Sequence, residues 1–168
     1  MQIEVLLGDI FEQQVDAIVN PAHPSLLAGS GLCGEIFRRA GKIQLEKHCR
    51  LELQKINKNT LELGKAIITP AFNLPLKCII HTAVPKFYQH GVDTLSDCYL
   101  NSILLAQKDS LESIAFPALG IGINQIPVEI SAHKLTEAIN LLPTDLSMRM
   151  VLVVRDEATK LTFSEALV

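Results

Sequence analysis

Short, uninterrupted aliphatic runs constrain this chain more than any other feature. Ile79-Ile80 and Val151-Leu152-Val153-Val154 show no alternation of apolar and polar residues. A strand of that kind is buried on both faces, which requires helices above and below the sheet. Six segments read as strands: Gln2–Leu7, Ala17–Asn20, Gly64–Thr69, Cys78–Thr82, Ser113–Pro117 and Met150–Val154. Helical segments fall between them. Gly34–Ala40 continues, after a break, into Ile43–Lys55. Thr94–Asp109 places Leu95, Cys98, Tyr99, Ser102, Leu105 and Ala106 along one stripe. Pro127–Leu142 begins with proline at a first-turn position, and a last helix covers Lys160–Val168. This alternation specifies an α/β fold, a three-layer α/β/α sandwich. With 168 residues, no internal repeat and no linker, the chain reads as a single domain over 1–168.

Charge and cysteine usage then exclude several function classes. Fifteen basic and eighteen acidic residues leave a net charge of −3. A protein that holds nucleic acid by bulk charge would be basic, so Arg38, Arg39 and Lys42 read as a solvated helix face. The N-terminal segment has no basic region or small-residue cleavage site, so no signal peptide is read. No apolar run approaches the roughly 20 residues that span a bilayer. No membrane association and a cytoplasmic location are expected. Cys33, Cys49, Cys78 and Cys98 form no CxxC pair. They read as four reduced thiols, with neither a disulfide framework nor a structural metal, and no cofactor is expected.

Ligands of open α/β sheets bind beyond the carboxyl ends of the strands. Gly8-Asp9-Ile10 follows the first strand, where Asp9 fits either a cap or an acceptor for an amine. The second strand leads into Pro21-Ala22-His23-Pro24-Ser25-Leu26-Leu27-Ala28-Gly29-Ser30-Gly31-Leu32-Cys33-Gly34, nearly free of charge. A helix opening near Gly34 would aim its N–H groups at this loop and favour an anion. Gly29–Gly34 formally matches GxGxxG. Pro21–Ala28 separates it from the strand, which argues against a dinucleotide-binding Rossmann unit. The fifth strand leads into Ala118-Leu119-Gly120-Ile121-Gly122-Ile123-Asn124-Gln125-Ile126-Pro127. Two such loops could clasp a pyrophosphate from opposite sides.

On these residues the chain resembles a macrodomain, the ADP-ribose-binding α/β/α module. The stretch Gly8–Gly41 matches the family pattern without a gap. Leu63–Pro75, Cys78–Pro85 and Ser113–Pro127 match its later segments. The resemblance implies a macrodomain sandwich around a mixed sheet of about six strands. It is closest in pattern to the branch that processes ADP-ribose 1″-phosphate. The implied ligand is ADP-ribose or ADP-ribosylated protein. Asp9 would accept from the adenine amine, and the Ile10 backbone would meet the adenine ring. Gly29, Ser30, Gly31 and Leu32 would form one phosphate loop, and Gly120, Ile121, Gly122 and Ile123 the other. Arg155 stands where the family often carries an aromatic, and a guanidinium can also stack on a base.

The departures from the family pattern fall at the distal ribose. His23 replaces an asparagine, Cys33 an aspartate, Asn124 an aromatic, Gln125 a glycine and Phe37 a histidine. Asn20 remains of the polar set. A thiol is a poor acceptor and does not replace a carboxylate in organising water. The expected function is binding with weak or absent hydrolysis, and Gln125 is expected to crowd the second loop. One alternative is a hydrolase of ADP-ribosyl or O-acetyl-ADP-ribose esters that uses Asn20, His23 and Cys33. There Cys33, close to a helix N-terminus, would be a thiolate paired with His23. Another is a macrodomain with a closed cleft that serves as an interaction domain. His81 reads as structural, and His48, His90 and His133 as surface residues. Phe87-Tyr88 either lines the ribose side of the cleft or caps the core.

Overall fold

The computed structural model describes residues 1–168. Six strands form one sheet: β1 Gln2–Leu7, β2 Ala17–Ala22, β3 Ala66–Thr69, β4 Cys78–Ala83, β5 Ser113–Pro117 and β6 Arg149–Val154. Their spatial order is β1-β6-β5-β2-β4-β3. Every neighbouring pair is parallel except β3 with β4, so the sheet is mixed.

The aliphatic runs are covered on both faces, as their lack of alternation requires. Met150, Leu152 and Val154 point to one side, while Val151 and Val153 point to the other. α4 (Leu95–Lys108), α5 (Val128–Asn140) and α6 (Glu157–Ala166) cover the first face. α1 (Gly31–Ala40) and α2 (Lys42–Lys55) cover the second. A four-residue helix, α3 (Phe87–His90), and one 3-10 turn, Ile10–Glu12, complete the set. Gly41, at φ +112, lies between α1 and α2. No helix is long and apolar enough to cross a membrane.

Several boundaries differ from the sequence reading, and three of them lie beside the cleft described below. α1 starts at Gly31, not Gly34, because Ser30 in extended backbone opens it. α6 starts at Glu157, not Lys160, because the Asp156 carboxylate accepts the Thr159 N–H at 2.8 Å. β2 runs on to Ala22 through Pro21, paired with β4.

Strand order fixes where a ligand can enter. β2 pairs with β5 only over Ala17 and Ile18. From β2 the chain crosses through α1 and α2 toward β4 and β3. From β5 it crosses through α5, on the opposite face, toward β6. Connections that leave neighbouring strands in opposite directions open a crevice between them.

Candidate ligand-binding cleft

That crevice is a cleft of about 620 Å³, sized for a small organic ligand. Ile10, His23, Gly29–Cys33, Gly120–Asn124 and Arg155 line it. Lys86 and Arg155 face a single lining carboxylate, Asp156, so the walls favour an anion although the whole chain is acidic.

The first loop runs from His23 into α1. Ser30 caps with no side-chain hydrogen bond. The N–H groups of Ser30, Gly31, Leu32 and Cys33 therefore have no acceptor within the chain. They sit at the positive end of a ten-residue helix. Glu46 of α2 anchors the loop, accepting the Ala28 N–H at 3.0 Å. Gly34 has no room for a side chain, since a Cβ would strike the Gly29 carbonyl.

The second loop reaches the same end by another route. Three of its carbonyls are occupied: Gly120 accepts from Ile126, Gly122 from Gln125 and Asn124 from Phe87. The N–H groups of Gly120, Ile121, Gly122, Ile123 and Asn124 have no acceptor in the chain. Consecutive N–H groups left free make an anion-binding concavity without a helix terminus. Gln125 takes the left-handed conformation, φ +61, and is exposed outside the cleft lining. It strains the loop and does not fill the site, contrary to the expected crowding. Asn124 donates to the Val84 carbonyl at 3.2 Å, tying the loop to the segment after β4.

Beside one end of the cleft, outside its lining, Asp9 Oδ1 accepts the Phe11 N–H at 2.9 Å. Its second oxygen makes no bond within the chain. Gly8 and Ile10 line the wall beside it, and the Ile10 N–H has no partner. Arg155 is exposed across this end.

The polar residues of the other end are arranged as donors and as a sealed floor. Ser25 N–H donates to His23 Nδ1 at 3.0 Å. A backbone N–H cannot accept, so Nδ1 carries the lone pair and neutral His23 holds its proton on Nε2. Cys33 is buried, and burial pushes its thiol pKa up even though the Gly29 N–H, the Asn20 side chain and the His23 backbone oppose this. The helix N-terminus does not win, and the thiol stays protonated. Asn20 is fully buried and lies beneath the cleft surface. Its Nδ2 donates to His81 Nδ1 at 2.9 Å, and its Oδ1 has no partner. His81 Nε2 then carries the proton and donates to Thr69 Oγ1 at 2.9 Å, which donates to the Pro70 carbonyl at 3.1 Å. Burial, with a smaller push from His48, lowers the His81 pKa to about 3. His81 is therefore neutral, as a structural histidine should be. Phe37 lies in the core, edge-on to His81 at 5.9 Å, away from the cleft.

Sequence reasoning missed the far wall. Lys86, Gln89 and His90, on and beside α3, line the cleft. Phe87 turns inward against the core and Tyr88 is 81% exposed, so neither aromatic lines the site. A four-residue helix carries no periodicity from which its inward face can be read. Arg38 and Arg39 pair with Glu35 on the surface, at 2.6 and 2.7 Å. Arg39 also lies 4.2 Å over the Phe11 ring.

A parallel-stranded crevice flanked by two glycine loops with free N–H groups defines the class. The macro domain family model matches residues 19–135, and the chain belongs to that family. It is 40% identical over 166 residues to an O-acetyl-ADP-ribose deacetylase of Klebsiella pneumoniae, covering 95% of this chain and 92% of that protein. It is 36% identical to a macro domain-containing protein of Lactiplantibacillus plantarum, covering 99% and 96%. Among solved structures, a mutant Oceanobacillus iheyensis macrodomain with ADPR superposes with a TM-score of 0.90 at 32% identity, covering 98% of this chain and 91% of that one. The same organism's macrodomain with ADP gives 0.89 at 31%, covering 98% and 89%.

Proposed function

We propose that the cleft binds ADP-ribose, free or carried on a protein, and hydrolyses its esters weakly or not at all. One observation carries the reading: two runs of unpartnered N–H groups, Ser30–Cys33 and Gly120–Asn124, border one cleft. A diphosphate between them would meet donors on both sides. The free Asp9 oxygen would accept the adenine amine, and the Arg155 guanidinium would stack on the base. His23 would offer its Nε2–H to the distal ribose, a donor in place of the family's asparagine amide. The ADPR-bound and ADP-bound relatives support the ligand class.

Weak hydrolysis follows from what the distal end lacks. A general base needs a free lone pair within reach of water. His23 Nδ1 is taken by Ser25, Cys33 is a protonated thiol, and Asn20 is a fully buried amide, which is no base. No carboxylate lines this end of the cleft. The second reading, an active esterase, is favoured by the deacetylase relatives at 40% identity. Turnover of O-acetyl-ADP-ribose separates the two. The expected result is a rate near background that rises at least about tenfold in the double variant Cys33→Asp, His23→Asn. Turnover by the unmodified protein at rates ordinary for an enzyme, about 1 per second or more, would overturn the binding-only reading.

A further inference from the structure

We infer that Tyr99 and Ser131 are positioning residues: a closed ring of buried hydroxyls holds the second glycine loop in its ligand-ready shape. The inference rests on the diphosphate reading above and names what keeps that side of the cleft in place.

Leu119, the residue before Gly120, is fully buried. Its N–H donates to Tyr99 Oη at 2.9 Å. Its carbonyl accepts from Ser131 Oγ at 2.6 Å. The two hydroxyls are 2.9 Å apart. The direction of that bond follows from the other two. The single Ser131 proton goes to the Leu119 carbonyl, so Tyr99 must donate to Ser131. The ring runs from Leu119 N–H to Tyr99 to Ser131 and back to Leu119, and each hydroxyl donates once and accepts once. Tyr99 comes from α4 and Ser131 from α5, and both are fully buried. Burial raises the Tyr99 phenol further above its ordinary range, so it remains a donor.

The consequence reaches the cleft through a short chain of bonds. With both polar groups of Leu119 fixed from below, Gly120 leaves at φ +84 with its carbonyl aimed at the Ile126 N–H, 2.9 Å away. Buried Ile126 fills the space beside Gly120, where even a Cβ would collide. The five free N–H groups hang between these two fixed points. A buried, fully satisfied ring allows no alternative arrangement without leaving a polar group unpaired, so it specifies one loop conformation.

The test compares Tyr99→Phe and Ser131→Ala with Ser102→Ala. Ser102 is also buried on α4 and bonds only within its helix, to the Cys98 carbonyl at 2.7 Å. Two readouts are used: calorimetric affinity for ADP-ribose and amide hydrogen exchange at Gln125 and Ile126. Tyr99→Phe and Ser131→Ala should each weaken ADP-ribose about tenfold and speed exchange at both amides by a similar factor. The double variant should lose little more than either single one, because the ring acts as a unit. Ser102→Ala should leave both readouts unchanged. Equal affinity and equal exchange in all three variants would overturn the inference. If Tyr99→Phe does not fold, Ser131→Ala alone decides. If the unmodified protein binds no ADP-ribose, the proposed function fails, while the exchange rates still decide the ring.

Discussion

The two glycine loops present the same kind of surface by different means. The first uses the start of α1, where four N–H groups are free because no helix can satisfy its own first turn. The second has no helix at that point, since α5 begins only at Val128. There the loop's turns and Phe87 occupy three carbonyls, and five consecutive N–H groups are left free. The anchors differ as well. A half-buried carboxylate, Glu46, holds the first loop, while buried neutral hydroxyls hold the second. Free donors facing a cleft are therefore a property of hydrogen-bond accounting, not of glycine count or helix polarity alone.

The largest effect that would break this comparison is at Gly34. Its Cβ would meet backbone, the Gly29 carbonyl, which cannot step aside. Gly34→Ala should weaken ADP-ribose by about a hundredfold or unfold the loop, at a cost of about 1–3 kcal/mol. Gly122→Ala, with open space around it, should leave thermal stability unchanged. Equal melting temperatures for the two variants would contradict the account.

Acid should act on the floor below the first loop. His81 is held neutral with its pKa lowered to about 3. Below about pH 6.5 the unfolded chain takes up a proton that the folded chain refuses. The stability His81 contributes is present above about pH 6.5 and is lost progressively as pH falls toward about 3, at up to about 1.4 kcal/mol per unit. Denaturant titrations of the protein and of His81→Gln, between about pH 7 and 4, check this. The variant should show the shallower slope. An identical slope would mean His81 protonates in place.

Glu46 sharpens the contrast between anchors. Glu46→Ala leaves the Ala28 N–H without its acceptor and should weaken ADP-ribose about fivefold to tenfold, whereas Glu46→Gln, still an acceptor, should recover most of it. Calorimetry on both variants reads the difference. The smallest expected effect is at Gln125, a left-handed residue outside the cleft lining. Gln125→Gly should stabilise the protein by about 1 kcal/mol with no change in affinity. A change in affinity would mean this side chain reaches the ligand.

The fold was legible because it rests on short aliphatic runs whose two-sided burial a sequence displays directly. Both glycine loops were legible for a related reason, since each stands between a strand and a helix. What stayed hidden depends on burial and on which side chains pair. Ser25 fixing the His23 tautomer, Asn20 turning down to His81, and Cys33 turning from α1 into the core all rest on burial and partners that spacing does not encode. The Tyr99–Ser131 ring joins residues 32 positions apart. In the sequence, Tyr99 reads as one more core residue on a helical stripe.

If two runs of free N–H groups make this cleft a diphosphate site, affinity must depend on the phosphates. Calorimetric titration with ADP-ribose, alongside adenosine, tests it most directly. ADP-ribose should bind with a dissociation constant on the order of micromolar, and adenosine, which lacks the phosphates, at least about a hundredfold more weakly. Equal affinity for the two, or no binding of ADP-ribose, would contradict it.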